Sequence, residues 1–114
     1  MTRILVVDDE KNMRVTLADI LRDEGHEVTT ADCGEAAVRL CEASRFDVIL
    51  MDVRMPGIDG VEAFRRIRLR DSDVRVIMVS AYSVAGLERD ALELGAVAFL
   101  RKPLDMEKVT RLLG

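Results

Sequence analysis

Four short stretches of this 114-residue chain end in side chains that can do chemistry together. Asp8, Asp9 and Glu10 follow the apolar run 4–7, Asp52 closes the run 48–51, and Ser80 closes the run 76–79. Lys102, with Pro103 behind it, comes just after the run 97–100. Gathered at one place, such carboxylates do not stay ionised unaided. Two like charges about 4 Å apart repel by ~1 kcal/mol in water and ~4 kcal/mol at an effective dielectric constant of 20. The set calls for a metal ion and a lysine. Carboxylate and carbonyl oxygens suit magnesium, which keeps several waters and leaves room for phosphate oxygens. An aspartate beside bound magnesium is a known covalent nucleophile toward phosphoryl groups. Other chemistry has little material. His26 is the single histidine, and Cys33 and Cys41 form no Cys-x-x-Cys, which excludes zinc sites and Ser-His-Asp triads.

The elements that must position these residues are short strands alternating with helices. Ile4–Val7, Val48–Met51 and Val76–Val79 are unbroken and largely β-branched, as expected of central strands buried on both faces. Val28–Ala31 is more polar and Val97–Leu100 runs straight into charge, so both read as edge strands. Helical spacing recurs between them. Met13, Leu17, Ile20 and Leu21 stop before Gly25, and Ala37, Leu40 and Cys41 mark a second helix. Val61, Phe64 and Ile67 make a third, which opens with Asp59 and Glu62, the spacing of a reciprocal cap. Val84, Leu87, Ala91 and Leu94 make a fourth, bounded by Ser83 and Gly95. Asp105 caps a fifth of barely two turns. Five β-α units of about 22 residues each require a parallel sheet with helices on both faces and right-handed crossovers. The predicted fold is a flavodoxin-like, doubly wound (βα)5 domain with strand order 2-1-3-4-5. There the carboxyl ends of neighbouring first and third strands form the binding edge. On that rim the acids, Ser80 and Lys102 converge.

The segments Val6-Val7-Asp8-Asp9-Glu10, Asp52-Val53-Arg54-Met55-Pro56-Gly57-Ile58-Asp59-Gly60, Val79-Ser80-Ala81 and Phe99-Leu100-Arg101-Lys102-Pro103 resemble the four signature segments of the response-regulator receiver domain of two-component signal transduction. The resemblance runs through essentially the whole chain, in order. It implies that Asp52 accepts a phosphoryl group from a sensor histidine kinase. Asp8 and Asp9 would hold Mg2+ with Asp52 and the backbone carbonyl of Arg54. Ser80 would hydrogen-bond one phosphoryl oxygen and Lys102 would pair with another. Phe99 stands at the family's switch aromatic position, with Ser80 as its partner, and the Lys102–Pro103 peptide is expected to be cis. The resemblance further implies slow autodephosphorylation, with Arg54 and Tyr82 flanking the path of attacking water. The surface of the fourth helix, fifth strand and fifth helix would drive an output domain or the domain's own dimer. The Asp52–Gly60 segment looks most like receivers of AAA+ transcription activators. The short fifth helix suggests that residues 1–114 are a single receiver domain from the amino end of a longer regulator.

Composition sets the bounds. The chain is 49% hydrophobic and 33% charged, with 2 prolines, so it has material for one core and is no disordered tail. A net charge of −4 gives no general attraction to nucleic acid or to an anionic membrane. The first apolar run is broken at once by acids, leaving neither a secretory nor a spanning segment, and the cytoplasm is the expected location. Plainer readings apply to single residues: His26 facing solvent, Cys41 a buried small hydrophobe, Cys33 a loop residue, and Arg65, Arg66, Arg68 and Arg70 a solvated helix face. Two other functions use related material. A phosphatase of the haloacid dehalogenase type also uses aspartate and magnesium, but its Asp-x-Asp follows the first strand, where this chain has Glu10. A nucleotide or flavin module would need a glycine-rich phosphate loop, and none follows a strand.

Overall fold

Alternation along the central strands decides the layers. In the computed structural model, which describes residues 2–81 and 85–113, successive side chains of a strand point to opposite faces, and nearly all are apolar. Leu5, Val7, Ile49, Met51, Val76 and Met78 pack with Ala37, Phe64, Ile67 and Ala91 on one side. Ile4, Val6, Val48, Leu50 and Ile77 pack with Leu17, Leu21, Val109 and Leu113 on the other. The strands are β1 (Arg3–Val7), β2 (Glu27–Ala31), β3 (Val48–Asp52), β4 (Arg75–Ser80) and β5 (Ala98–Arg101). They form one parallel sheet of order β2-β1-β3-β4-β5, the expected topology. The helices are α1 (Lys11–Asp23), α2 (Gly34–Ala43), α3 (Gly60–Arg70), α4 (Ala85–Glu93) and α5 (Met106–Leu113). Helices α1 and α5 cover one face, and α2, α3 and α4 the other.

Register sets the rim. Val7 pairs with Met51, so Asp8 and Asp52 are the next residues on adjacent strands. Ser80 pairs with Arg101, and the Lys102 N–H donates to the Ser80 carbonyl at 2.9 Å. Gly25 and Gly95, just past α1 and α4, hold φ of 94° and 99°, the left-handed backbone that ends a helix with least strain in glycine.

Several local expectations need correction. β5 begins at Ala98, with Val97 outside it and exposed. Cys33 is no plain loop residue: it caps α2, its Sγ accepting the Ala36 N–H at 3.4 Å. Asp59 caps α3 through Glu62 N–H at 2.8 Å, but the Glu62 carboxylate engages Arg65 and Arg66 rather than reaching back. His26 is half-buried, and its Nδ1 is a buried atom with no hydrogen-bond partner among the described residues. The chain returns tightly after Gly25, where the His26 N–H donates to the Leu21 carbonyl at 3.1 Å. Cys41 is half-buried, and burial, with the Asp71 charge adding to it, pushes its thiol up to about 11. Tyr82, Ser83 and Val84 lie outside the described residues. No described helix is long and apolar enough to cross a membrane.

Candidate functional site

The site is assembled from strand ends. Asp8, Asp52 and Ser80 are 3%, 6% and 1% exposed, although each ends a run of core residues where an apolar side chain would cost less to bury. Asp9 is exposed above them. One carboxylate oxygen from each of Asp8, Asp9 and Asp52 lies within 4.8 Å of the others, a hard-oxygen set able to hold a divalent metal ion. Lys102, carried in by β5, places Nζ 2.8 Å from Asp8 Oδ2 and 3.4 Å from Asp52 Oδ2. The Lys102–Pro103 peptide is cis.

Electrostatics distinguish the acids. Burial and the neighbouring Asp8 charge push the Asp52 carboxyl up to about 6, although the Lys102 charge and hydrogen bond and the Arg54 backbone N–H pull the other way. Burial also works against the Lys102 ammonium. Its hydrogen bond to Asp8 and the charges of Asp52 and Asp8 outweigh that cost, leaving its pKa above the ordinary lysine value. Asp52 is therefore a basic carboxylate at the mouth of a groove, poorly compensated by one lysine shared with Asp8. The groove, about 660 Å3, is lined by Asp9, Arg54, Met55, Pro56, Ala81, Leu87 and Lys102 around Asp52. It has room for a small anion and a hydrated cation beside the Asp52 oxygens.

Phe99 stands apart from this cluster. It pairs in register with Met78 and is half-buried against the α2, α3 and α4 side of the core. Arg54 is exposed at the groove's edge. The supporting parts of Glu10, Arg14 and Gly60 were not drawn from the sequence. Asp8 is held by the Glu10 N–H on Oδ1 (2.9 Å) and by Arg14 Nη1 on its carbonyl (2.8 Å). Gly60 lets α3 start against β3, since a Cβ there would stand 2.2 Å from the Asp52 carbonyl oxygen. Gly60 carried a readable signal, a glycine at a helix start directly after a cap. Arg14 carried none, being an arginine on a helix.

Comparison with known proteins agrees with this arrangement. Residues 4–113 match the family model described as the response regulator receiver domain. Sporulation initiation phosphotransferase F of Bacillus subtilis is 33% identical over 107 residues, covering 94% of this chain and 86% of that protein. Response regulator UvrY of Escherichia coli O6:H1 is 40% identical over 104 residues, covering 90% of this chain and 48% of UvrY. The chain thus spans about half the length of that relative. The structure of response regulator TrrA from Thermotoga maritima in complex with Mg(2+)-BeF superposes with a TM-score of 0.85 at 37% identity. It covers 99% of this chain and 100% of that one.

Proposed function

Since this chain belongs to the response regulator receiver domain family, we propose that Asp52 is its phosphoacceptor and that Mg2+, held by Asp8, Asp9, Asp52 and the Arg54 carbonyl, supports the transfer. It is a signalling domain, and the haloacid dehalogenase-type phosphatase reading falls away with that assignment. The observation that carries the proposal is the bridge of Lys102 between Asp8 and Asp52, beside an Asp9 oxygen close enough for all three acids to share one cation.

In this reading an Asp52 carboxylate oxygen attacks the phosphorus of a sensor kinase's phosphohistidine. The new O–P bond forms as the P–N bond breaks, and the electron pair leaves with the imidazole. Lys102 pairs with one phosphoryl oxygen as a compact charge, and the Ser80 hydroxyl donates to a second. When bound, the cation supplies positive charge that offsets the three carboxylates and the incoming phosphoryl oxygens. Slow hydrolysis returns Asp52 to its carboxylate, with the Arg54 side chain limiting water.

Ser80 and Phe99 then relay the change to α4, β5 and α5, which engage an output domain or a second copy, in the service of transcription regulation in the cytoplasm. With a net charge of −4, this domain contributes no nucleic-acid binding of its own. In this reading residues 1–114 act as one receiver domain. Incubation with acetyl phosphate and Mg2+ tests the chemistry. One phosphoryl mass should be added, EDTA should prevent it, and Asp52→Asn should abolish it. Addition that persists in EDTA would refute the metal's part.

A further inference from the structure

The loop joining β3 to α3 carries Arg54 at the rim, and its two ends are held differently. At its base the Gly60 N–H donates to the Val53 carbonyl at 2.8 Å, closing the loop on itself. Its far side leans on another element, the first turn of α2. Gly34 sits so close that a Cβ there would lie 2.7 Å from Ile58 Cγ1 and 3.1 Å from the Ile58 carbonyl oxygen. The next residue, Glu35, accepts the Ile58 N–H on Oε2 at 3.4 Å. Both Glu35 oxygens also lie over Gly57, where φ is 82° and an added Cβ would stand 2.5 Å from Oε2 and 2.9 Å from Oε1. At 3.4 Å the bond is a long one, so its part is to place the loop, which any acceptor oxygen at that position can do. Nothing in the chemistry of transfer requires an acid on α2.

We propose that Glu35 is a positioning residue for the rim: by holding Ile58 and covering Gly57, it fixes the loop that carries Arg54, whose carbonyl would hold the metal, while itself belonging to neither the metal set nor the phosphoryl contacts. Removing a group that orients metal ligands from outside the ligand set typically weakens metal binding about 10–100-fold. The inference rests on the proposed metal site and deepens it. α2 thereby becomes a part of the molecule through which the cation's hold on the site is tuned.

The test is Mn2+ binding to the intact domain, read from the electron paramagnetic resonance signal of free Mn2+, with no phosphorylation involved. Glu35→Ala should weaken binding roughly ten-fold, the scale for losing an outer support. Glu35→Gln keeps an acceptor oxygen and should stay within about two-fold of the unaltered protein. Urea midpoints in EDTA report any general loss of stability. A Glu35→Ala protein that loses stability but binds Mn2+ normally would overturn the inference, as would Gln and Ala variants weakened equally. The outcomes separate from those of the parent reading. If the unaltered protein fails to bind Mn2+, or Asp9→Asn binds it as well, the metal site falls and this inference with it. If Asp9→Asn loses binding and Glu35→Ala does not, only the role of Glu35 falls.

Discussion

A buried carboxylate with a raised pKa destabilises the fold wherever it is ionised, and Asp52 is such a group. Its folded-state pKa is about 6 against an ordinary 3.8, so the folded protein holds this proton more tightly than the unfolded chain. The contribution to stability is greatest below pH 4, falls as pH rises between about 4 and 6, and stays lost above that. Asp52→Asn removes the term. In EDTA at pH 7 the variant should be more stable than the unaltered protein by on the order of 1–3 kcal/mol, with the gain shrinking below pH 4. Urea titrations at the two pH values check this, and a variant no more stable at pH 7 would mean that Lys102 already compensates Asp52. Added Mg2+ should narrow the difference by binding the folded, unaltered protein alone. At this scale the sequence was legible where a polar residue ended an apolar run, as at Asp8, Asp52 and Ser80. It was not legible at Cys33 or His26, whose surroundings depend on the local path of the chain: a sulfur turned onto a free amide, a ring half-buried just after a helix-ending glycine.

Among the elements, α3 shows how a helix face can be misread. Arg65, Arg66, Arg68 and Arg70 look like one solvated run, yet only Arg68 falls four residues after Phe64, on the packed side. Its guanidinium lies 5.2 Å from the Phe64 ring centre. It donates to the carbonyls of Ser72 and Val74 before β4 and of Leu94 and Gly95 at the end of α4. The i+4 spacing from a core phenylalanine was the available signal. One side chain thus ties α3, β4 and the carboxyl end of α4, where a positive charge also suits the helix dipole. Arg68→Ala should cost about 1.5–3 kcal/mol, the range for bonds to a charged group, and Arg68→Lys should recover less than half, lacking the planar fork. Urea unfolding decides it, and a change below about 0.5 kcal/mol would show that water replaces these bonds. The central strands were legible because unbroken, largely β-branched runs suit a sheet buried on both faces. Strand ends were less so: Arg75 starts β4 as an exposed residue, its side chain reaching the Leu112 carbonyl on α5.

For the whole molecule the question is how chemistry at one rim reaches a distant face. Leu92 and Val97, 47% and 42% exposed near α4 and β5, are apolar side chains available to a partner. Phe99 is only half-buried, so a further inward turn yields less than the 1.5–3 kcal/mol of a fully buried side chain. Driving a two-state equilibrium from one side to the other needs ~5.5 kcal/mol, so under the proposed switch most of it would come from Ser80 and Lys102 through the phosphoryl oxygens. Beryllofluoride with Mg2+ should therefore strengthen self-association in sedimentation runs, and Ser80→Ala should weaken the response more than Phe99→Leu. A larger loss in the Phe99 variant would reverse that ranking. All of this depends on Asp52 receiving the phosphoryl group, and borohydride trapping reads that site directly. Protein treated with acetyl phosphate and Mg2+, then reduced with tritiated borohydride, should carry tritium at position 52 alone, as the alcohol formed from the acyl phosphate. Tritium at another aspartate, or none at position 52 in protein that has gained phosphoryl mass, would contradict it.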